Sequence, residues 1–185
     1  MSILLKLLIV FLLVDLVSGA VHWAEDTFWT AETPVLGPVL VAPNLLHHTQ
    51  PAAFVKFSYW HSNGQLLKVA GATAGVAALL GLLSWPVVLF ALLGGHANQI
   101  HKWAHMARRK VPAPVRLLQR LGLLQSVAHH NRHHGGERNT HYCTVTPLLN
   151  PLLDRLALWR GLERLLATPA NSPRRTDLWG SRAAA

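Results

Sequence analysis

The sequence predicts an all-α integral membrane protein, with about three membrane-spanning helices and further amphipathic helices lying at the interface. Three observations predict it. Hydrophobic residues make up 51% of the 185 positions and charged residues only 14%, whereas charged residues in soluble domains run near a quarter. Two apolar stretches, residues 2–21 and 67–103, are long enough to reach through a hydrocarbon core of roughly 30 Å. Twelve histidines outnumber eight carboxylates, and they recur as pairs beside those stretches rather than as one tract.

Residues 2–21, SILLKLLIVFLLVDLVSGAV, make the first span. A cleavable signal peptide competes with that reading, since Lys6 lies near the start and Ser18-Gly19-Ala20 near the end. Asp15 argues for a retained helix, because a charge inside an apolar span is costly and usually has a task. Asp15, Ser18, His22 and Asp26 also share one helical face by spacing. Residues 23–65 hold four prolines and read as loop-rich with short helical pieces. Next, Ser84-Trp85-Pro86 divides the second apolar stretch into pieces of span length, 66–83 and 86–106.

A hairpin rather than one kinked span follows from the histidines. His22, His47 and His48 precede this stretch, and His101 and His105 follow it. They can meet only if the chain returns to the side it left. All Lys and Arg residues except Lys6 are then expected on the histidine side, which the positive-inside rule makes cytoplasmic. The formal charge of +9 is accounted for by anionic lipid: Arg108-Arg109-Lys110 follows a span directly, and no nucleic-acid motif accompanies it. No nucleic-acid partner is expected.

Two amphipathic helices complete the pattern. In residues 115–126, Leu117, Leu118, Leu121 and Leu124 share a face. In residues 151–166, Leu152, Leu156 and Trp159 oppose Asp154, Arg155 and Arg160. Both suit a membrane interface, and both suit ordinary amphipathic packing. Residues 1–167 thus form one membrane-embedded domain, and 168–185, rich in Pro, Arg and Ala, read as a disordered tail.

The histidine spacing carries the chemistry. His101 and His105 are four apart, so both rings leave one side of a helix. His130, His133 and His134 repeat that arrangement, His47-His48 form a pair, and His22 stands beside Trp23. A lone chelating or pH-sensing tract would be contiguous, whereas these groups span more than a hundred positions. Imidazole suits zinc, copper, iron and nickel alike. With Cys143 the single cysteine, disulfide frameworks and iron–sulfur clusters are excluded. A zinc-protease helix is excluded too, because Lys102 follows His101 where a glutamate is needed. No E-x-x-H occurs, as the carboxylate-rich di-iron bundle requires. What remains is a two-metal site bound almost entirely by imidazole, on one side of the membrane. Neutral ligands leave the ions' charge uncompensated, which favours anionic oxygen species derived from O₂. Asp15, Asp26 and Asn98 are candidates to hold ligand tautomers from behind.

These residues carry a resemblance. DLVSGAVHWAED, HHTQP, NQIHKWAH, LLQSVAHHNRHH, HYC and LLNPLLD resemble, in order, the plasmanylethanolamine desaturase family over roughly residues 12–160; that family includes plant desaturases acting on phosphatidylglycerol acyl chains. N-Q-x-H-K-W-x-H with H-x-x-H-H about two dozen residues on is its specific signature. The resemblance implies a multi-pass lipid desaturase that binds two iron ions on the cytoplasmic side. It also implies use of O₂ with electrons from an external protein such as a cytochrome or ferredoxin. The implied ligands are His22, His47, His48, His101, His105, His130, His133 and His134, with His61 and His129 in reserve. Lys102, Arg108 and Arg109 are expected near the lipid phosphate.

The implied reaction in the ether-lipid branch converts an alkyl ether phospholipid to its vinyl ether, a plasmalogen. The alternatives are an acyl-lipid desaturase or hydroxylase, and a metal-binding membrane protein without turnover. The chain departs from the ether-lipid pattern in KFSYWHSNG, where Phe57 occupies a histidine position and His61 an acidic one. It departs again at Thr146-Pro147, where that pattern has Thr-Gly, and the family's additional N-terminal span is missing from the sequence.

Overall fold

The structure, a computed structural model, describes residues 2–135 and 139–168, and these form an all-helical assembly. The chain begins with α1, Ile3–Thr27, whose first turn is capped by Ser2 Oγ accepting from the Leu5 amide at 3.3 Å. A single π-helical turn, Gly37–Val41, leads into α2, Ala42–Thr49. Gly37 is obligatory there, since a Cβ would stand 2.1 Å from the Ala31 carbonyl oxygen. Short α3, Pro51–Lys56, precedes α4, Tyr59–Leu79, capped by Ser58. Then come α5, Trp85–Gly95, and α6, Ala97–His105. The last four are α7, Ala113–Arg120, α8, Val127–His134, α9, Asn150–Arg155, and α10, Leu158–Leu166. Prolines stand in the first turns of α2, α3, α5, α7 and α9. A missing amide hydrogen costs nothing at that place, and the ring presets φ.

The hairpin expected at Ser84-Trp85-Pro86 is present as α4 and α5. It turns at Gly81, whose φ of +68° closes α4. The Leu82 amide donates to the Ala77 carbonyl at 2.8 Å and the Gly81 amide to Ala78 at 3.1 Å, a Schellman ending. Its legs differ from the expected 66–83 and 86–106. The first starts earlier, at Tyr59, and the second stops at Gly95, where the chain reorients through His96 into α6. Gly95 lets the legs close on each other: a Cβ would lie 3.1 Å from Leu67 Cδ2 and 3.3 Å from Ala70 Cβ.

Packed against α5, α1 brings Lys6 Nζ to 6.0 Å from the centre of the Trp85 ring. The start of α1 and the hairpin turn therefore share one end of the molecule, and the histidines gather at the other. Leucines dominate the outer surface near that first end: Leu4 is 78% exposed and Leu79 88%. Among the described residues, α1 alone is both long and apolar enough to cross a membrane by itself. Lys68 corrects the expected charge distribution, because it projects from the shaft of α4 rather than from the histidine end.

Two apolar clusters hold the assembly. Val14, Ala97, Ile100, Val111, Val115, Leu124 and Val145 form one; Trp23, Tyr142, Cys143, Leu153 and Trp159 form the other. The amphipathic faces expected in the second half are split between core and surface. Leu124 and Trp159 are buried, while Leu117, Leu121, Leu152 and Leu156 face outward. A break at Ala157, φ +50°, separates α9 from α10 and turns Trp159 inward. The tail expected from residue 168 lies outside the described residues except for Thr168.

From residue 139 to α9 the chain is irregular, and its residues 142–146 are buried, so each backbone polar group there needs a partner. Asp15 partners two of them and one hydroxyl. Its Oδ1 accepts from the Val145 and Thr146 amides, both at 2.9 Å, and its Oδ2 from Thr146 Oγ1 at 2.7 Å. Asn150 accepts from the Cys143 amide at 2.9 Å and donates to its carbonyl at 2.8 Å. The Gln125 side chain donates to that carbonyl as well, at 2.8 Å. Gly19 allows the closest approach, since a Cβ would meet Cys143 Sγ at 2.6 Å. Asp15 is thus a latch for this strap rather than a holder of ligand tautomers.

Candidate metal centre

Five imidazoles from α2, α6 and α8 meet edge to edge. Their Nε2 atoms form a closed ring: His47 to His105 at 2.8 Å, His105 to His101 at 3.3 Å, His101 to His130 at 2.8 Å, His130 to His134 at 3.0 Å, and His134 back to His47 at 2.9 Å. The i, i+4 spacing of His101–His105 and His130–His134 delivers each pair from one helix face. Protons cannot satisfy this ring. Each nitrogen is either a donor or a single-lone-pair acceptor, so at most two of the five contacts can be hydrogen bonds. The other three have no proton to share, and at least one of them sets like against like. A cation at the centre removes the conflict, and ligands about 2.1 Å from a metal and at right angles to one another stand roughly 3.0 Å apart.

Burial keeps these rings in the form a metal needs. It lowers the His47, His101 and His130 pKa values well below the ordinary range, with the neighbouring histidines adding to the effect. His105 is lowered to about 4, chiefly by burial, and His134 is lowered by burial and by the surrounding imidazoles. All five are therefore neutral at pH 7 and available for ligation.

A second group adjoins the first. His22, Asp26, His48 and His133 bring ligand atoms within 4.8 Å of one another, and all four are buried. His22 Nδ1–H donates to the Tyr142 carbonyl at 3.2 Å and His133 Nδ1–H to the Thr140 carbonyl at 2.8 Å. Both therefore turn an Nε2 lone pair inward. His133 Nε2 lies 3.4 Å from Asp26 Oδ2, and both atoms are buried without a hydrogen-bond partner among the described residues. Two acceptors facing each other in a dry site call for a positive charge between them. Imidazole and carboxylate at these separations suit a first-row transition metal.

Asp26 accordingly belongs to the group of possible ligands itself, whereas the sequence predicts it behind them. That outer role falls to residues the sequence reading missed. Asn44 donates to Asp26 Oδ1 at 2.6 Å and accepts from His47 Nδ1–H at 3.3 Å, tying the two groups together. Its place three residues before His47 on α2 was the available signal. The carbonyls of Thr140 and Tyr142 had none, because backbone leaves no mark in a sequence.

The reserve histidines lie elsewhere. His129 points away, accepting from Asn150 Nδ2 at 3.1 Å and packing on His141, itself paired with Asp154 at 2.9 Å. His61 is exposed on α4, with its ring against Phe57. Asn98 donates to the Ser62 carbonyl at 2.8 Å, pinning α6 to α4, and holds no ligand tautomer. Lys102 is buried and donates to the Phe57 carbonyl just beyond the end of α3, so it is a structural pin rather than a free cation. Arg108 and Arg109 are exposed just past α6, on the histidine end.

An apolar cavity opens beside His22, His47 and His101. It runs between α1, α4 and α5 along Val17, Leu66, Ala70 and Gly94 toward Val14, Thr73 and Phe90.

An all-helical protein whose clustered imidazoles and one carboxylate form two adjoining groups able to hold metal, beside an apolar cavity, is the class that fold and site define. The chain belongs to the lipid desaturase family, whose domain matches residues 11–177. Mouse plasmanylethanolamine desaturase 1 is 32% identical over 180 residues, covering 90% of this chain and 66% of the mouse protein. The plasmanylethanolamine desaturase of Myxococcus xanthus is 34% identical over 182 residues, covering 94% of this chain and 64% of that protein. Fatty acid desaturase 4-like 1, chloroplastic, of Arabidopsis thaliana is 34% identical over 158 residues, covering 82% of this chain and 52% of the plant protein. The chain thus spans between half and two thirds of the length of these relatives. No solved structure matches it.

Proposed function

We propose that the chain is an O₂-dependent membrane lipid desaturase whose two histidine groups hold a pair of iron ions. The observation that carries this reading is the convergence of eight histidines and Asp26 at one end of an apolar cavity. Iron bound there would supply the oxidising power to break an unactivated C–H bond, which no side-chain acid or base can do near neutral pH. The chain's own residues hold and orient. Thr140, Tyr142 and Asn44 fix ring tautomers, Asp15 and Asn150 brace the strap that carries those carbonyls, and the apolar lining keeps water from the reacting carbons.

Seated in a bilayer, α1 and the α4–α5 hairpin would enter the hydrocarbon, with the histidine end toward the cytoplasm beside Arg108 and Arg109. The favoured reaction removes two hydrogens from an alkyl ether phospholipid. One O₂ and two external electrons, with two protons, leave as two waters, and a vinyl ether remains. A cytochrome or ferredoxin would deliver those electrons. Relatives from mouse and Myxococcus xanthus named for that activity support it.

A second reading, desaturation of a phospholipid acyl chain, draws on equal identity to the Arabidopsis relative and on Phe57 and His61 where the ether-lipid pattern differs. Expression in cells that contain alkyl ether lipids but no plasmalogens tests both. Acid-labile vinyl ethers support the first, and a new double bond in an intact ester chain supports the second. Purified protein that binds iron and yields neither product with O₂ and reductant would mark a non-catalytic metal protein.

A further inference from the structure

We infer that the cavity is a slot for the methyl end of the lipid chain, with a floor formed by Val14, Thr73 and Phe90 that fixes how many carbons lie beyond the reacting pair. The inference rests on the desaturase reading. Three observations carry it.

The polarity of the lining is one-sided. Glu25, Asn44 and Asn98 line the cavity at its histidine end, and the far end is apolar. Of the hydroxyls along the lining, Thr73 Oγ1–H is spent on the Val69 carbonyl at 2.9 Å and Ser18 Oγ–H, midway along α1, on the Asp15 carbonyl at 2.8 Å, with Thr144 beside Ser18. A lipid therefore leaves its glycerol at the metals and sends its hydrocarbon away from them.

The depth is limited. Val14 lies eight residues from His22 on the same helix, α1. That distance is about 12 Å at 1.5 Å per residue. One turn beyond Val14 on α1, Phe11 packs against the core to which Val14 belongs. A fully extended chain advances roughly 1.2 Å per bond, which follows from 3.3–3.6 Å per three-bond residue. The slot thus holds about ten carbons past the pair at the metals.

The shaft is kept open by the absence of a side chain. Gly94 lines the cavity, and a Cβ built there meets nothing within 4 Å, whereas one at neighbouring Gly95 is blocked by Leu67 and Ala70. A larger residue at 94 would fill the slot without disturbing the helix contact.

The test uses the full chain in nanodiscs, with a 12-carbon alkyl ether phospholipid carrying a photoreactive diazirine on its last carbon. Labelling of Val14, Thr73 or Phe90 is expected, and this readout needs neither iron nor turnover. Labelling confined to the outer face, at Val88 or Leu92, overturns the slot. In cells supplied with a series of chain lengths, Thr73→Trp and Gly94→Leu should shift product toward shorter chains. The expected loss is about tenfold for each methylene that no longer fits. An unchanged length profile in both variants overturns the floor assignment. Labelling of the floor by a protein that desaturates no lipid would instead refute the desaturase reading and leave the slot standing.

Discussion

Replacing Asp15 by alanine removes one carboxylate and strands three donors at once. The Val145 amide, the Thr146 amide and Thr146 Oγ1 all give their hydrogens to it, at 2.9, 2.9 and 2.7 Å, in a site with no exposed surface. A buried donor left without a partner costs about 1–3 kcal/mol. With partial relaxation, Asp15→Ala should lose about 3–6 kcal/mol, which lowers the melting temperature of a chain this size by about 6–24 °C. Asp15→Asn keeps an acceptor for both amides and should lose about 1–2 kcal/mol. The assay is thermal unfolding in detergent, read beside iron content by mass spectrometry. Iron should fall with stability in the alanine variant, because the strap that Asp15 latches carries the Thr140 and Tyr142 carbonyls behind His133 and His22. An alanine variant that melts within about 2 °C of the parent with full iron would refute the latch.

Three further outcomes are expected. His130→Gln should abolish product and lose most of the iron, while His129→Gln should keep both, since only the former belongs to the nitrogen ring; elemental analysis of the two variants decides it. Metal-free protein should lose stability on acidification. The folded His105 titrates at about 4 against an ordinary value of 6.5, so between those values the unfolded chain binds a proton that the folded chain refuses. The penalty is absent above 6.5 and grows as pH falls toward 4, by up to about 1.4 kcal/mol per pH unit for each such histidine. Melting curves that are flat from pH 7 to 5 would contradict this, and iron-loaded protein should resist acid further. Gly37→Ala should fold poorly, since its Cβ would stand 2.1 Å from the Ala31 carbonyl oxygen; reduced yield and melting temperature are the readout.

Much of this arrangement was legible in the sequence because helical spacing is a strong signal. The i, i+4 pairs at His101–His105 and His130–His134 announced shared faces, and the need for them to meet His47 and His48 required a hairpin turning near Pro86. The family signature in NQIHKWAH and AHHNRHH pointed to the lipid desaturases, and the match over residues 11–177 bears that out. Roles that depend on what faces a side chain were not legible. Asp15 and Asp26 sit on one face of one helix, yet one meets backbone amides and the other meets imidazoles. Lys102 reads as an interfacial cation until α3 is seen to end against it. The orientation of Trp159 depends on the left-handed Ala157, and alanine carries no sign of that conformation.

Cys143, the chain's one thiol, lies with no exposed surface beneath Gly19, and burial pushes its pKa upward. Alkylating reagents should therefore find nothing to react with in the native protein. A cysteine placed at Leu82, on the hairpin turn, or at Arg109, at the opposite end, would report alone. Impermeant maleimide added to intact cells and then to inverted vesicles would read the sidedness of each end, with no native residue to remove first.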